Sequence, residues 1–144
     1  MDNSALAIIE LYKIRSEPLM REARAWFSSE FAPKNGRELV QLMLSGQKES
    51  AFYRMVSSHW EFAASLVNNG GIDEKMFLEA NTEHVVVFAK LQPAIAETRE
   101  LLGEPDYLSH LERLVMKMPN IEKKLDNRRK LLERWNRATA AASS

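Results

Sequence analysis

The sequence contains no cysteine. That absence excludes a disulfide framework, thiol nucleophiles and thiolate metal sites, and it fits a reducing compartment. Glycine and proline are scarce, with five of each in 144 residues, so the few present mark where regular structure stops. Net charge is zero, which argues against a domain held to nucleic acid by overall charge. Long apolar runs are missing too. The stretch Ala5 to Ile9 is cut by Glu10 and has no basic residues before it, so neither a signal peptide nor a membrane span is expected, and the expected location is the cytoplasm.

Catalytic signatures are equally sparse. There is no Gly-x-Ser-x-Gly elbow, and Gly70-Gly71 alone is a helix stop, not a phosphate-binding loop. None of His59, His84 and His110 has a glutamate three residues before or after it, the spacing by which helical bundles build metal sites. The sequence therefore predicts no enzyme activity, no metal and no cofactor.

What is present is a helical chain. At 144 residues, 45% hydrophobic and 28% charged, it has the size and composition of one globular domain, able to bury roughly 70% of the surface its unfolded chain exposes. Apolar residues recur with helical period, and no stretch alternates long enough to suggest a strand. Helices are expected near 3 to 31, 37 to 45, 48 to 68, 73 to 102, 105 to 117 and 120 to 140, with kinks at Pro18 and Pro93. The predicted fold is all-α: a single antiparallel bundle of about five to six helices. Residues 1 to 118 form its core, 119 to 140 a basic amphipathic helix, and 141 to 144 a frayed tail.

Three arginines interrupt apolar helix faces. Arg15 shares a face with Ile8, Leu11, Tyr12, Leu19 and Trp26; Arg99 with Val85, Phe88, Leu91, Ile95 and Leu102; Arg128 with Ile121, Leu125, Leu132 and Trp135. A guanidinium keeps its proton in a protein, so a buried one needs a carboxylate or an anionic ligand. Glu61 and Glu112, on the helices flanking that of Arg99, are the expected partners in a structural ion pair or the walls of an anion pocket.

Charge is unevenly spread. Residues 60 to 112 carry ten acids against three bases, a net −7, and residues 117 to 137 carry eight bases against three acids, a net +5. The two stretches should attract, within a chain or between chains. In the last helix Ile121, Leu125, Arg128, Leu132 and Trp135 follow heptad spacing, with Lys123, Lys130, Arg134 and Arg137 opposite. This seam is the expected interface of a homodimer, or packs on its own domain. Nucleic-acid or anionic-surface binding is the weaker expectation, because no aromatic interleaves the basic strip.

The stretch from Leu11 to Leu114 resembles a bacterial family of uncharacterised helical proteins, the domain of unknown function family numbered 4760. The resemblance rests on Arg21-Glu22-Ala23-Arg24, Glu61-Phe62-Ala63 with Leu66-Val67, Gly71-Ile72-Asp73, Leu91-Gln92-Pro93-Ala94-Ile95, Arg99, Tyr107 and Leu111-Glu112-Arg113-Leu114. It implies that Glu61, Arg99 and Glu112 form one polar set, with Arg24 beside them. Phe88 and Ala89 stand where the family pattern tends to carry a tryptophan, and the N-terminal membrane segment of many members is not read here. The resemblance supports the fold and assigns no activity. The functional expectation is a protein-binding or self-associating module, and the alternative is a small anionic-ligand site at Arg99, Glu61 and Glu112.

Overall fold

Backbone conformation at a few residues decides how the helical pattern is divided in the computed structural model, which describes residues 3–143. Eight helices are present among them: α1 (Ser4–Arg15), α2 (Pro18–Ser29), α3 (Gly36–Met43), α4 (Lys48–Asn68), α5 (Glu74–Ala80), α6 (Glu83–Leu102), α7 (Ser109–Met116) and α8 (Ile121–Ser143). No strand occurs among the described residues. The all-α expectation holds, but the count is eight, not five or six.

Two expected long helices are each split. Pro18 does not kink a continuous helix. Its ring forces Glu17 into the extended region (ψ 147°), ending α1, and Pro18 then opens α2 where no amide hydrogen is needed. The second split falls at Asn81, which is extended (φ −137°, ψ 135°) and turns its side-chain amide back onto the Phe77 carbonyl at 3.2 Å. Pro93, by contrast, lies inside an unbroken α6.

Helix ends follow local chemistry. Asn35 and Asp73 accept hydrogen bonds from the Glu38 and Met76 amides, capping α3 and α5. Gly103 ends α6 in the left-handed conformation (φ 66°). The α7 helix begins at Ser109, later than the expected 105, after Leu108 adopts φ 57°. α8 continues to Ser143, past the expected end at 140; Ser144, the last residue of the expected tail, lies outside the described residues.

The closest packing joins α3 to α6, α2 to α4, α4 to α7 and α6 to α8. The close approach of α3 to α6 depends on Gly36, where an added Cβ would sit 2.4 Å from the Thr98 amide nitrogen and 2.7 Å from the Glu97 carbonyl carbon. Glycine is used there for its missing side chain, not for a left-handed turn. One aromatic group, Trp26, Phe27, Phe31, Phe52 and Tyr53, knits α2 to α4, with Phe27 and Phe31 stacked at 4.4 Å. A second, Trp60, Phe77 and His84, joins α4, α5 and α6.

Candidate functional site

The stripe arginines meet different fates. Arg15, at the end of α1, lies over two rings, its guanidinium carbon 5.1 Å from the Tyr12 centroid and 5.7 Å from that of Trp60. Arg99 forms an ion pair with Glu112, Nη1 lying 3.0 Å from Oε1, and donates from Nε to the Tyr107 carbonyl at 2.8 Å. Its side chain is 17% exposed, so the pair holds the start of α7 against α6 in a partly dry setting, where breaking it costs more than at the surface. Arg128 has no hydrogen bond, ion pair or ring contact among the described residues.

Glu61 belongs to the same corner but not to the guanidinium. Its carboxylate accepts from the amides of His110 at 3.2 Å and Leu111 at 2.8 Å. These are free donors of the first α7 turn, and Leu108 at the cap position has no side chain able to accept from them. A carboxylate from α4 therefore does the capping, helped by the positive end of the helix dipole. Glu61, Arg99 and Glu112 thus converge on the start of α7, with Arg99 binding Glu112 and Glu61 binding backbone. Beside them the Tyr53 and Tyr107 hydroxyls lie 2.8 Å apart, and burial followed by the neighbouring Tyr107 raises the Tyr53 pKa.

Arg24 is not part of this set. It grips Glu83 with two nitrogens, Nε to Oε2 at 2.9 Å and Nη2 to Oε1 at 2.8 Å, while Nη1 reaches the Arg15 carbonyl at 3.0 Å. The Trp60 indole N–H donates to the same carboxylate at 3.2 Å. Glu83 was not singled out in the sequence, although Asn81-Thr82-Glu83 has the polar composition of a helix start.

A 430 Å³ hollow borders Arg99, but Glu100 lines it too and Glu112 already balances the guanidinium. The Arg99 nitrogen left without a partner, Nη2, is fully buried and does not face solvent. The anion-pocket alternative at Arg99, Glu61 and Glu112 therefore loses its free positive charge.

The expected seam of α8 is also rearranged. Ile121 and Leu125 are buried against their own chain, Leu132 is half-buried, and Trp135 is turned out, 69% exposed. The inward contacts come instead from Arg129, whose Nη1 donates to the Ala89 carbonyl at 2.8 Å, and Asn136, whose side chain donates to the Ser28 carbonyl at 3.1 Å. Arg129 and Asn136 lie one residue beyond the expected Arg128 and Trp135; Arg128 stays half-buried beside Arg129, whereas Trp135 leaves the inner face. Lys90, its pKa lowered to about 8 by burial, joins Asn136 in binding the end of α2 through the Phe27 and Ser28 carbonyls.

Among the described residues no three histidine, aspartate or glutamate side chains gather to hold a metal, and no helix is long and apolar enough to cross a membrane. A family model described as a domain of unknown function, DUF4760, matches residues 3–118. The chain belongs to this family. The DUF4760 match takes in α1 to α7, with both the Arg99 and Arg24 clusters, and ends before α8 begins. No curated protein and no solved structure matches the chain.

Proposed function

We propose that the protein is a self-associating binding module, not an enzyme, and that the outer face of α8 is the surface on which a second copy docks. The observation that carries this reading is Trp135. It stands 69% exposed with Leu131, 53% exposed one turn earlier, on a helix whose opposite face is already packed on the DUF4760 domain. Tryptophan is among the side chains enriched at the energetic centres of protein interfaces.

Charge complements it. Arg134 and Arg137 flank Trp135 and are exposed, and among the described residues the one ion pair made by an α8 base is the internal Lys130 to Asp126. Lys117, just before α8, pairs with Glu74 and accounts for one contact of the basic stretch with the acidic one. Glu100, Glu104 and Asp106 remain exposed around the α6–α7 turn. A second copy could satisfy both surfaces at once.

Sedimentation velocity over a concentration series tests this. The expected result is a reversible dimer that weakens with added salt and becomes monomeric in Trp135→Ser. A wild-type protein that stays monomeric throughout, or a dimer indifferent to Trp135→Ser, overturns it. Point substitution is the right tool, because deleting α8 would also uncover the apolar contacts of Ile121 and Leu125.

A further inference from the structure

Arg128 is the one stripe arginine with neither a carboxylate, a carbonyl nor a ring against it. It is half-buried, and it borders a hollow of about 270 Å³ between α5, α6 and α8. Lys124, one turn earlier on α8, lines the same hollow, and its ammonium has no hydrogen bond or ion pair among the described residues. No acidic side chain lines the space. Two cations, the half-buried Arg128 and the exposed Lys124, thus border one cavity whose lining carries no carboxylate, where a half-buried guanidinium ordinarily has a partner.

The rest of the lining suits an oxyanion. Asn127 and Thr82 present an amide and a hydroxyl that have no hydrogen bond among the described residues, while the Asn81 amide, which also borders the space, already donates to the Phe77 carbonyl. Val85 and Met118 supply apolar lining. His84, only 1% exposed and with both ring nitrogens unpartnered, lies near enough for the Arg128 charge to oppose its protonation. The corner therefore carries two cationic side chains without a carboxylate in the lining, and the Asn127 amide and Thr82 hydroxyl as donors without an acceptor among the described residues.

We infer that this hollow is a binding site for a small oxyanion, a phosphate or the carboxylate of a short organic acid, held by Arg128 and Lys124 with hydrogen bonds from Asn127 and Thr82. The planar fork of Arg128 suits two anion oxygens at once, and Lys124 supplies a mobile point charge. A volume of about 270 Å³ accommodates an anion bearing a few carbons. The site differs from the outer α8 surface, since Trp135 is not among its lining residues.

The test is an amide NMR titration of the full chain with inorganic phosphate and, separately, with butanoate, each at constant ionic strength set by chloride. Saturable shifts are expected at Asn81, Thr82, Asn127 and Arg128, and Arg128→Gln should weaken binding at least about tenfold, the equivalent of 1.4 kcal/mol. Lys124→Gln, at an exposed position, gives a second variant should Arg128→Gln fail to fold, and it too should weaken binding. Saturation by phosphate alone assigns a phosphate site, and saturation by butanoate assigns an organic-acid site with Val85 and Met118 covering its chain. Absence of saturable shifts with both probes, or equal binding by wild type and both variants, overturns the inference.

Discussion

Arg129 donates a 2.8 Å hydrogen bond to the carbonyl of Ala89, the acceptor that Pro93 leaves without its helical donor. Proline at position i has no N–H for the carbonyl at i−4, and Ala89 is completely buried, so water cannot make up the loss. Gln92 accepts from the same Arg129 nitrogen at 3.3 Å. α6 runs through Pro93 because a side chain from α8 supplies what its own backbone lacks, and α8 is held in place by the same bond.

This relationship predicts non-additivity. Arg129→Ala should cost about 2 kcal/mol, since it leaves a buried carbonyl unpaired. In a Pro93→Ala background, where residue 93 can donate to Ala89, the same change should cost at least about 1 kcal/mol less. Urea unfolding of the four proteins measures the coupling; equal costs in both backgrounds would show that the bond does not compensate for the proline.

Gly36→Ala should destabilise by about 3 kcal/mol, because its Cβ would meet α6 backbone, which cannot swing aside as a side-chain tip can. Gly46→Ala is the control. Its φ is +70° but nothing lies within 4 Å of an added Cβ, so it should cost only the conformational strain of about 1 kcal/mol. Thermal unfolding that ranks the two the other way round contradicts the close-approach argument.

Glu61→Ala should cost about 1 to 2 kcal/mol through loss of the α7 cap. Hydrogen exchange gives a more specific reading than stability. The His110 and Leu111 amides should lose protection beyond the global change, while amides in the middle of α6 follow global stability alone. Uniform loss across the chain would mean that Glu61 does not act as a cap.

Acid should destabilise the fold before most carboxylates titrate. Burial lowers the pKa of both His59 and His84 from 6.5 to about 4; Arg15 and Arg24 add to this at His59, against Glu83, and Arg128 adds to it at His84. Between these values the unfolded chain binds protons that the folded chain does not. Stability is therefore full above about pH 6.5 and falls as pH drops toward 4, by up to about 3 kcal/mol per histidine. Urea midpoints should decline between pH 7 and 4.5, and His84→Phe should flatten that decline. A His84→Phe protein with an unchanged pH slope would place the proton uptake elsewhere.

Helix type and most helix ends were legible in the sequence because they rest on local chemistry: apolar period, Asp73 as a cap, Gly103 as a stop. The divisions at Pro18 and Asn81 were less so. A proline inside a strong helical pattern either opens a new helix or sits within one, and Pro18 and Pro93 show both outcomes in a single chain. The difference at Pro93 is Arg129, thirty-six residues away, which no local pattern can reveal.

For the polar residues the sequence could say that Arg15, Arg99 and Arg128 interrupt apolar faces and that each cation needs an answer. It could bring Arg99 and Glu112 together, because neighbouring helices limit their reach. Which answer each arginine received depended on tertiary packing: rings for Arg15, a carboxylate and a carbonyl for Arg99, and an open hollow for Arg128. That Arg129 and Asn136 face inward while Trp135 turns outward likewise depends on tertiary bonds, to the Ala89 and Ser28 carbonyls, which the spacing that put Arg128 and Trp135 on one seam does not contain. Composition and period determined an all-helical domain, and side-chain partners separated widely in sequence decided where its charges are spent and where they remain available.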